Sequence, residues 1–486
     1  MDSYFFPRDQ LLKALKDLIS KGSFVFVSSP SATGKTSTLC FIGKCLVDTN
    51  IVYVPLYSDI SAFQSLREVG LDLENKTWDE SFNSRTIVIL DDAHQTYGDK
   101  HFWKKLIKDS VIQVPNLLAN VKFVIASTYL LGGADSPTEF HSLPRLNMSD
   151  FLLNTEDSLK LLTDTSIGLS PAALRDYDIL KNVIASSCGG NIGALRISID
   201  YLAEICQHST TKTEEFAIDC YFNVELLNKM ARCFGTQLGN VWPDPVQRIL
   251  IKLLGDESVS EEISFEQPPE IVHLLKCGVL RELRDRGLCF SSPLAQRYFS
   301  KVFYPHRLPY ECDDPASIYD LTVAAIRSMS AASLCQSTSE TNDFPKEAIF
   351  RHLFMTGLTR NTKLTTQVLP ELSKVFPNVA GDAFGKIKGE IDFFIIDGNL
   401  RWGIALLVNG NDSLEHRRRF CEGGKYAPLK CNAFVVVDFR ASSDGRPTKC
   451  LARKKHLMTV FFTRGTFERA TIVIGEEKQI TVDLQT

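Results

Sequence analysis

The 486-residue chain has no Cys-x-x-Cys pair, and its 13 cysteines are odd in number and scattered. That usage fits neither a disulfide framework nor a zinc site, and it reads as reduced thiols in an intracellular setting. No stretch approaches the roughly 20 apolar residues of a membrane span, so no membrane partner is expected. The start, Met1-Asp-Ser-Tyr-Phe-Phe-Pro7, lacks a basic segment and a long apolar core, so no signal peptide is visible. The sequence also lacks internal repeats and low-complexity tracts. Its apolar share of 44% and charged share of 23% are those of an ordinary soluble protein. A chain of this length predicts roughly two to four domains, each able to bury a core.

The net charge of −4 is unevenly spread. From Phe344 onward there are 22 Lys and Arg against 15 Asp and Glu, a balance of +7, which leaves −11 on the remainder. A basic C-terminal region on an acidic body points to nucleic acid as a partner there.

The most informative segment is Ser29-Pro-Ser-Ala-Thr-Gly-Lys-Thr36. It follows the apolar run Phe24-Val-Phe-Val27 and precedes a helix-like stretch, Ser37 to Val47. Strand, loop and helix in that order form the setting of a phosphate-binding loop. Backbone N–H groups of Ser29, Thr33, Gly34 and Ser37 and the helix N-terminus are placed to cradle the phosphates of ATP or another NTP. Lys35 would reach the outer phosphates, and the Thr36 hydroxyl would ligate Mg²⁺. Ser29 stands where the motif's first Gly belongs.

Two further strand ends complete a nucleotide site. Thr86-Ile-Val-Ile-Leu90 is apolar without alternation, as buried parallel strands are, and ends in Asp91-Asp92. Asp91 would hold Mg²⁺ through water, and Asp92 would polarise the attacking water. A third run, Val121-Lys-Phe-Val-Ile-Ala126, ends in Ser127-Thr128, where Ser127 suits a sensor of the γ-phosphate.

The fold class expected is α/β. A parallel-sheet phosphate-loop NTPase core, of AAA or STAND type, spans 1–148, and a helical lid spans 149–208. Helices are expected over Arg8 to Ser20, Glu156 to Thr165, Pro171 to Ser187 and Ala194 to Gln207. Arg196, near the start of the last of these, is placed to sense nucleotide from the lid. Residues 209–305 read as a winged-helix-like block, with helical periodicity at 245–254 and 270–275 and a hairpin around Arg284-Asp-Arg-Gly287. Such modules bind DNA, but after an ATPase lid they more often pack as a rigid arm, which is the favoured reading. A helical linker follows over 306–343, and residues 344–486 form a restriction-endonuclease-like domain.

In that last domain Asp392 lies inside an expected strand, Glu390 to Ile396, with a possible ligand position one strand later. Such nucleases use two or three carboxylates to hold Mg²⁺, which activates water. Glu390, two residues from Asp392, and Glu347 on the preceding helix are further candidates. The run His416-Arg417-Arg418-Arg419, with Lys425 close behind, is a basic cluster suited to a nucleic-acid backbone, DNA rather than RNA. A solvated basic helix face or a localisation signal would read the same way.

The loop through Ser37, the Asp91-Asp92 strand end and the turn Gly189-Gly-Asn-Ile-Gly-Ala-Leu195 resemble the ATPase half of Crinkler effectors. Gly389-Glu-Ile-Asp-Phe-Phe-Ile395, Trp402-Gly-Ile404, His416 to Phe420, Gly424-Lys-Tyr426 and Val437-Asp-Phe-Arg440 are similar to that family's nuclease module in order and spacing. The resemblance covers residues 20 to 480 or so. It implies a secreted effector acting in a host nucleus. Host nuclear proteins and a second copy of the chain are further expected partners. Two departures stand out. The family's secreted members carry an N-terminal header, whereas this chain starts almost directly at the ATPase region. The family's strand after Asp392 carries a Glu where this chain has Ala405, which removes one metal-ligand carboxylate. Nuclease activity is therefore expected to be weakened or lost. An active Mg²⁺-dependent nuclease and a non-catalytic interaction protein are the alternatives.

Overall fold

The computed structural model describes residues 8–46, 48–109, 115–129, 137–163, 176–208, 213–234, 249–250, 253–254, 269–282, 288–304, 315–338, 344–363, 366–370, 391–397, 400–410, 413–424, 426–442, 455–463, 465–475 and 478–485. The first sheet contains β1 (Phe24–Ser28), β2 (Asn50–Pro55), β3 (Thr86–Asp91), β4 (Val121–Ser127) and β5 (Arg145–Leu146). All five run parallel in the order β2-β3-β4-β1-β5. Phe24, Phe26, Val88, Leu90, Phe123 and Ile125 enter one apolar cluster. Val25, Val27, Ile87, Ile89, Val124 and Ala126 enter another, with Leu11 and Leu15 of helix Asp9–Lys21 and Leu39 and Ile42 of helix Lys35–Cys45. Burial on both faces explains why these strands read as unbroken apolar runs. β4 lies between β1 and β3, so Ser127 ends up between the loop after β1 and Asp91 at the end of β3. This is the sheet of a phosphate-loop NTPase, as the sequence predicts.

The middle of the chain is helical. Helices Thr155–Thr163, Asp178–Cys188 and Ile192–His208 occupy the span expected for the lid, followed by Glu214–Tyr221 and Val224–Lys229. Helix Pro269–Lys276 leads into a hairpin of β6 (Leu280–Glu282) and β7 (Leu288–Phe290), and helix Pro293–Phe303 follows. The hairpin tip at 284–287 lies outside the described residues, as does most of the helix expected at 245–254.

The C-terminal sheet has seven strands: β8 (Gln367–Pro370), β9 (Phe393–Asp397), β10 (Leu400–Val408), β11 (Ala433–Ser442), β12 (Leu457–Thr463), β13 (Arg469–Ile474) and β14 (Lys478–Asp483). They lie in chain order. β10, β11 and β12 are parallel, and antiparallel pairs flank them on both sides. β8, β13 and β14 carry no sequence signal strong enough to be expected. Helix Glu347–Arg360 packs on the sheet through Phe350, stacked on Phe439 at 4.4 Å, and Phe354, 5.5 Å from Phe393. One apolar cluster runs without a break from Leu180 and Leu195 of the lid through Phe299 to Phe350 and Val436. Arg401 on β10 donates to Asp219 on helix Glu214–Tyr221 at 2.9 Å and adds a charged tie across the same junction.

Candidate functional site: a nucleotide cradle and a basic sheet domain

The loop after β1 is shaped by two residues in the left-handed region, Ala32 (φ 61°) and Gly34 (φ 87°). A side chain at Gly34 would also crowd Ile192 and the Arg8 guanidinium, 3.2 and 3.3 Å from a Cβ there, so glycine fits on both counts. Ser29 is not among the positive-φ residues, which removes the conformational need for glycine at that position. Its hydroxyl instead braces the loop: Ser29 Oγ donates to Thr33 Oγ1 at 2.7 Å, and Thr33 Oγ1 donates to the Pro30 carbonyl at 2.8 Å. The Ser29 N–H donates to the Ser127 carbonyl of the neighbouring strand at 3.1 Å.

Lys35 opens the helix and is buried. Its ammonium donates to the Ser29 carbonyl and, at 3.0 Å, to that of Pro30. Burial pulls its pKa down to about 8, against the pull of Asp91 and Asp92. Thr36 Oγ1 donates to Asp91 Oδ2 at 3.0 Å, and Asp91 Oδ1 accepts the Asp92 N–H at 3.0 Å. The Tyr53 hydroxyl on β2 donates to the same Asp91 carboxylate. Asp92 is left-handed (φ 55°), and its carboxylate is half exposed, 4.0 Å from His94 Nδ1. Burial lowers the His94 pKa, with Asp92 opposing. Ser127 Oγ lies 2.6 Å from the Tyr97 hydroxyl and donates to the Tyr129 carbonyl at 3.0 Å. Ser37 is exposed on the first helical turn. Ser29, Thr33, Gly34, Lys35, Thr36, Asp91, Asp92 and Ser127 thus converge at the carboxyl ends of β1, β3 and β4, where open parallel sheets bind ligands.

Two later segments, expected from sequence to be the lid and the winged-helix-like block, pack against this loop. The Gly193 N–H donates to the Ala32 carbonyl at 2.9 Å. Gly278, at φ 69°, approaches Pro30 so closely that a Cβ would lie 2.5 Å from the proline ring. Arg196 turns along its own helix and donates from Nε to both carboxylate oxygens of Asp200 at 2.8 and 2.9 Å. Sequence reasoning missed Arg8. It is buried, donates to the Thr33 carbonyl at 3.1 Å and to that of Phe151, and lies 5.3 Å from the Phe151 ring centre. Burial draws its pKa down to about 10, opposed by Asp157. Tyr53, Tyr97 and Gly278 were missed as well. No local pattern marks them, because each acts on a segment far away in the chain.

In the C-terminal domain Asp392 sits just before β9 rather than inside a strand, a correction to the expected span, because Phe393 is the first residue to pair with β10. Asp392 is buried; its Oδ2 accepts the Leu406 N–H at 2.7 Å and its Oδ1 accepts Arg351 Nε at 3.1 Å. Arg351 also donates to Glu347 at 2.8 Å. Ala405, next to Leu406 on β10, is fully buried. Among the described residues no group of three or more His, Cys, Asp and Glu side chains is arranged to hold a metal ion. His416, Arg417 and Arg418 lie on the short helix Ser413–Arg418, with Arg418 exposed. Arg419 pairs with Glu415 at 3.5 Å. Phe420 anchors this segment by stacking on Phe434 at 4.7 Å, and Gly403 leaves room for its ring. Glu390 and Lys425 lie outside the described residues.

No protein-family model matches the chain, and no curated protein matches it. Among the described residues no helix is long and apolar enough to cross a membrane. Among solved structures the chain is similar to a Walker-type ATPase of Pyrococcus abyssi, at 13% identity and a TM-score of 0.36 over 60% of this chain and 95% of that one. It is also similar to RuvB of Thermotoga maritima, at 12% identity and a TM-score of 0.33 over 59% and 92% of the two chains. A third is Cdc6p of Pyrobaculum aerophilum, at 13% identity and a TM-score of 0.30 over 62% and 96%. Likenesses of this size carry nothing about activity, and the fold assignment rests on this chain's own strand order and loop geometry.

Proposed function

We propose that this chain is a Mg²⁺-dependent ATPase whose nucleotide state controls a C-terminal nucleic-acid-binding module of nuclease type. The observation that carries the reading is the meeting of Thr36 with Asp91 at 3.0 Å, beside a buried Lys35 at the end of a braced glycine loop. These residues fit the group. Thr36 and Asp91 would hold Mg²⁺, and Gly34 leaves the backbone open to phosphate. When bound, Mg²⁺ neutralises phosphate charge. Lys35 exchanges its loop carbonyls for phosphate oxygens, and the Ser29 to Thr33 bond holds the loop while it does so. Asp91 orients Thr36, and the exposed Asp92 carboxylate accepts the proton of an attacking water. Ser127 and Arg196 report the γ-phosphate.

His416, Arg417, Arg418, Arg419 and Lys425 engage nucleic-acid phosphates, DNA in preference to RNA. The similarity to Crinkler effectors supports this coupling of the two halves, with action in a host nucleus, host nuclear proteins as further partners and self-association. Ala405 favours binding over cleavage. The test is phosphate release and ATP binding by wild type and Lys35→Ala; equal values for the two proteins overturn the reading. For DNA, Arg417→Ala and Arg418→Ala should each lower the slope of log affinity against log salt by about 1.

A further inference from the structure

We infer that the C-terminal domain carries its own cation, the Arg351 guanidinium, in the position where a nuclease of this fold holds a divalent metal ion, so that Glu347 and Asp392 bind no metal. The inference deepens the reading of this domain as one that binds nucleic acid without cutting it, and rests on that reading. Three observations carry it. Arg351 Nε reaches Asp392 at 3.1 Å while another nitrogen of the same guanidinium reaches Glu347 at 2.8 Å, so one planar fork joins the two acids. The other oxygen of Asp392 accepts the Leu406 N–H at 2.7 Å, which fixes the carboxylate in its orientation toward Arg351. The position beside Leu406, where the family's carboxylate belongs, is Ala405, fully buried and without a coordinating atom.

The charge balance agrees. Among the described residues two carboxylates and one guanidinium leave a single negative charge, too little to draw a divalent ion out of water in competition with the resident positive group. Arginine suits the task because its rigid fork pairs with two oxygens and does not lose its proton. Arg351 lines a small cleft with Ser300 and Tyr304 at the end of helix Pro293–Phe303 and Met355 and Phe393 of the sheet domain. The clamp therefore also ties helix Glu347–Arg360 to the sheet at the junction with the arm.

Nucleotide-free full-length protein is titrated with Mn²⁺, and free Mn²⁺ is read by electron paramagnetic resonance. Wild type and Asp392→Asn are expected to bind equal numbers of ions with equal affinity. A Mn²⁺ ion that wild type binds and Asp392→Asn loses overturns the inference. Arg351→Met combined with Ala405→Glu is expected to gain an ion, at least about tenfold tighter than any nonspecific background, that a further Asp392→Asn removes. A folded double variant that gains none also overturns it. Should Arg351→Met fail to fold, the comparison of wild type with Asp392→Asn decides alone. ATP and DNA binding by the same samples report separately on the proposed function, so the two readings can fail independently.

Discussion

Replacing Gly193 with alanine sets two effects of opposite sign against each other. Gly193 lies in the first turn of helix Ile192–His208, and alanine in a helix is favoured over glycine by about 1 kcal/mol. The tertiary structure opposes this. A Cβ on Gly193 would lie 2.4 Å from the Ala32 carbonyl oxygen and 2.6 Å from the Ala32 side chain. The first of these neighbours is backbone, held in the loop by its own strained conformation, so the lid has to move. Overpacking of this kind costs about 1–3 kcal/mol, and losing the 2.9 Å bond from the Gly193 N–H to Ala32 costs about 1 more. The net expectation is destabilisation of about 1–3 kcal/mol, read as a lowered midpoint of thermal or urea unfolding. ATP titration of the same variant should show weaker binding, because the displaced segment holds the loop residue between Ser29 and Thr33. Gly98→Ala is the control, since nothing lies within 4 Å of a Cβ there. A Gly193→Ala protein as stable as Gly98→Ala, with unchanged ATP affinity, would refute the idea that the lid turn rests on the phosphate loop.

Two further outcomes follow from single positions. Ser29→Gly restores the motif's usual residue but removes the 2.7 Å brace on Thr33, so ATP affinity should fall by roughly two- to tenfold, the worth of one hydrogen bond of about 0.5–1.5 kcal/mol; affinity equal to or above wild type contradicts the brace. His352, bonded to the Tyr304 hydroxyl, has its pKa lowered by burial to about 4 from 6.5. Between those values the unfolded chain takes up a proton that the folded protein refuses, so stability falls as pH drops from 6.5 to 4, by up to about 3 kcal/mol. His352→Gln should flatten that part of the pH profile of the unfolding midpoint, and an unchanged slope would assign it to other groups.

The nucleotide site was legible because its parts announce themselves locally. A glycine-lysine-threonine loop after an apolar run and acids at a strand end need only neighbours in sequence to be recognised. Unbroken apolar strands likewise gave the parallel sheet, since both faces are covered. β8, β13 and β14 escaped notice because they are short or half exposed and mix polar with apolar residues. Asp392 was visible as an acid beside a strand. Its state was not, because the arginine that neutralises it lies 41 residues upstream on a helix whose sequence gives no sign of the pairing.

By itself the sequence determined the loop chemistry and the order of elements. Those features depend on backbone conformation and on periodic burial, which short stretches encode. Only the tertiary structure decided which charges meet and which surfaces touch: Arg8 on Thr33, Gly193 on Ala32, Gly278 on Pro30, Arg401 on Asp219 and Arg351 between Glu347 and Asp392. A charged or small residue reads alike in sequence wherever its partner lies. Packing of distant segments is what turns an arginine into a brace, a tie or a clamp between two carboxylates.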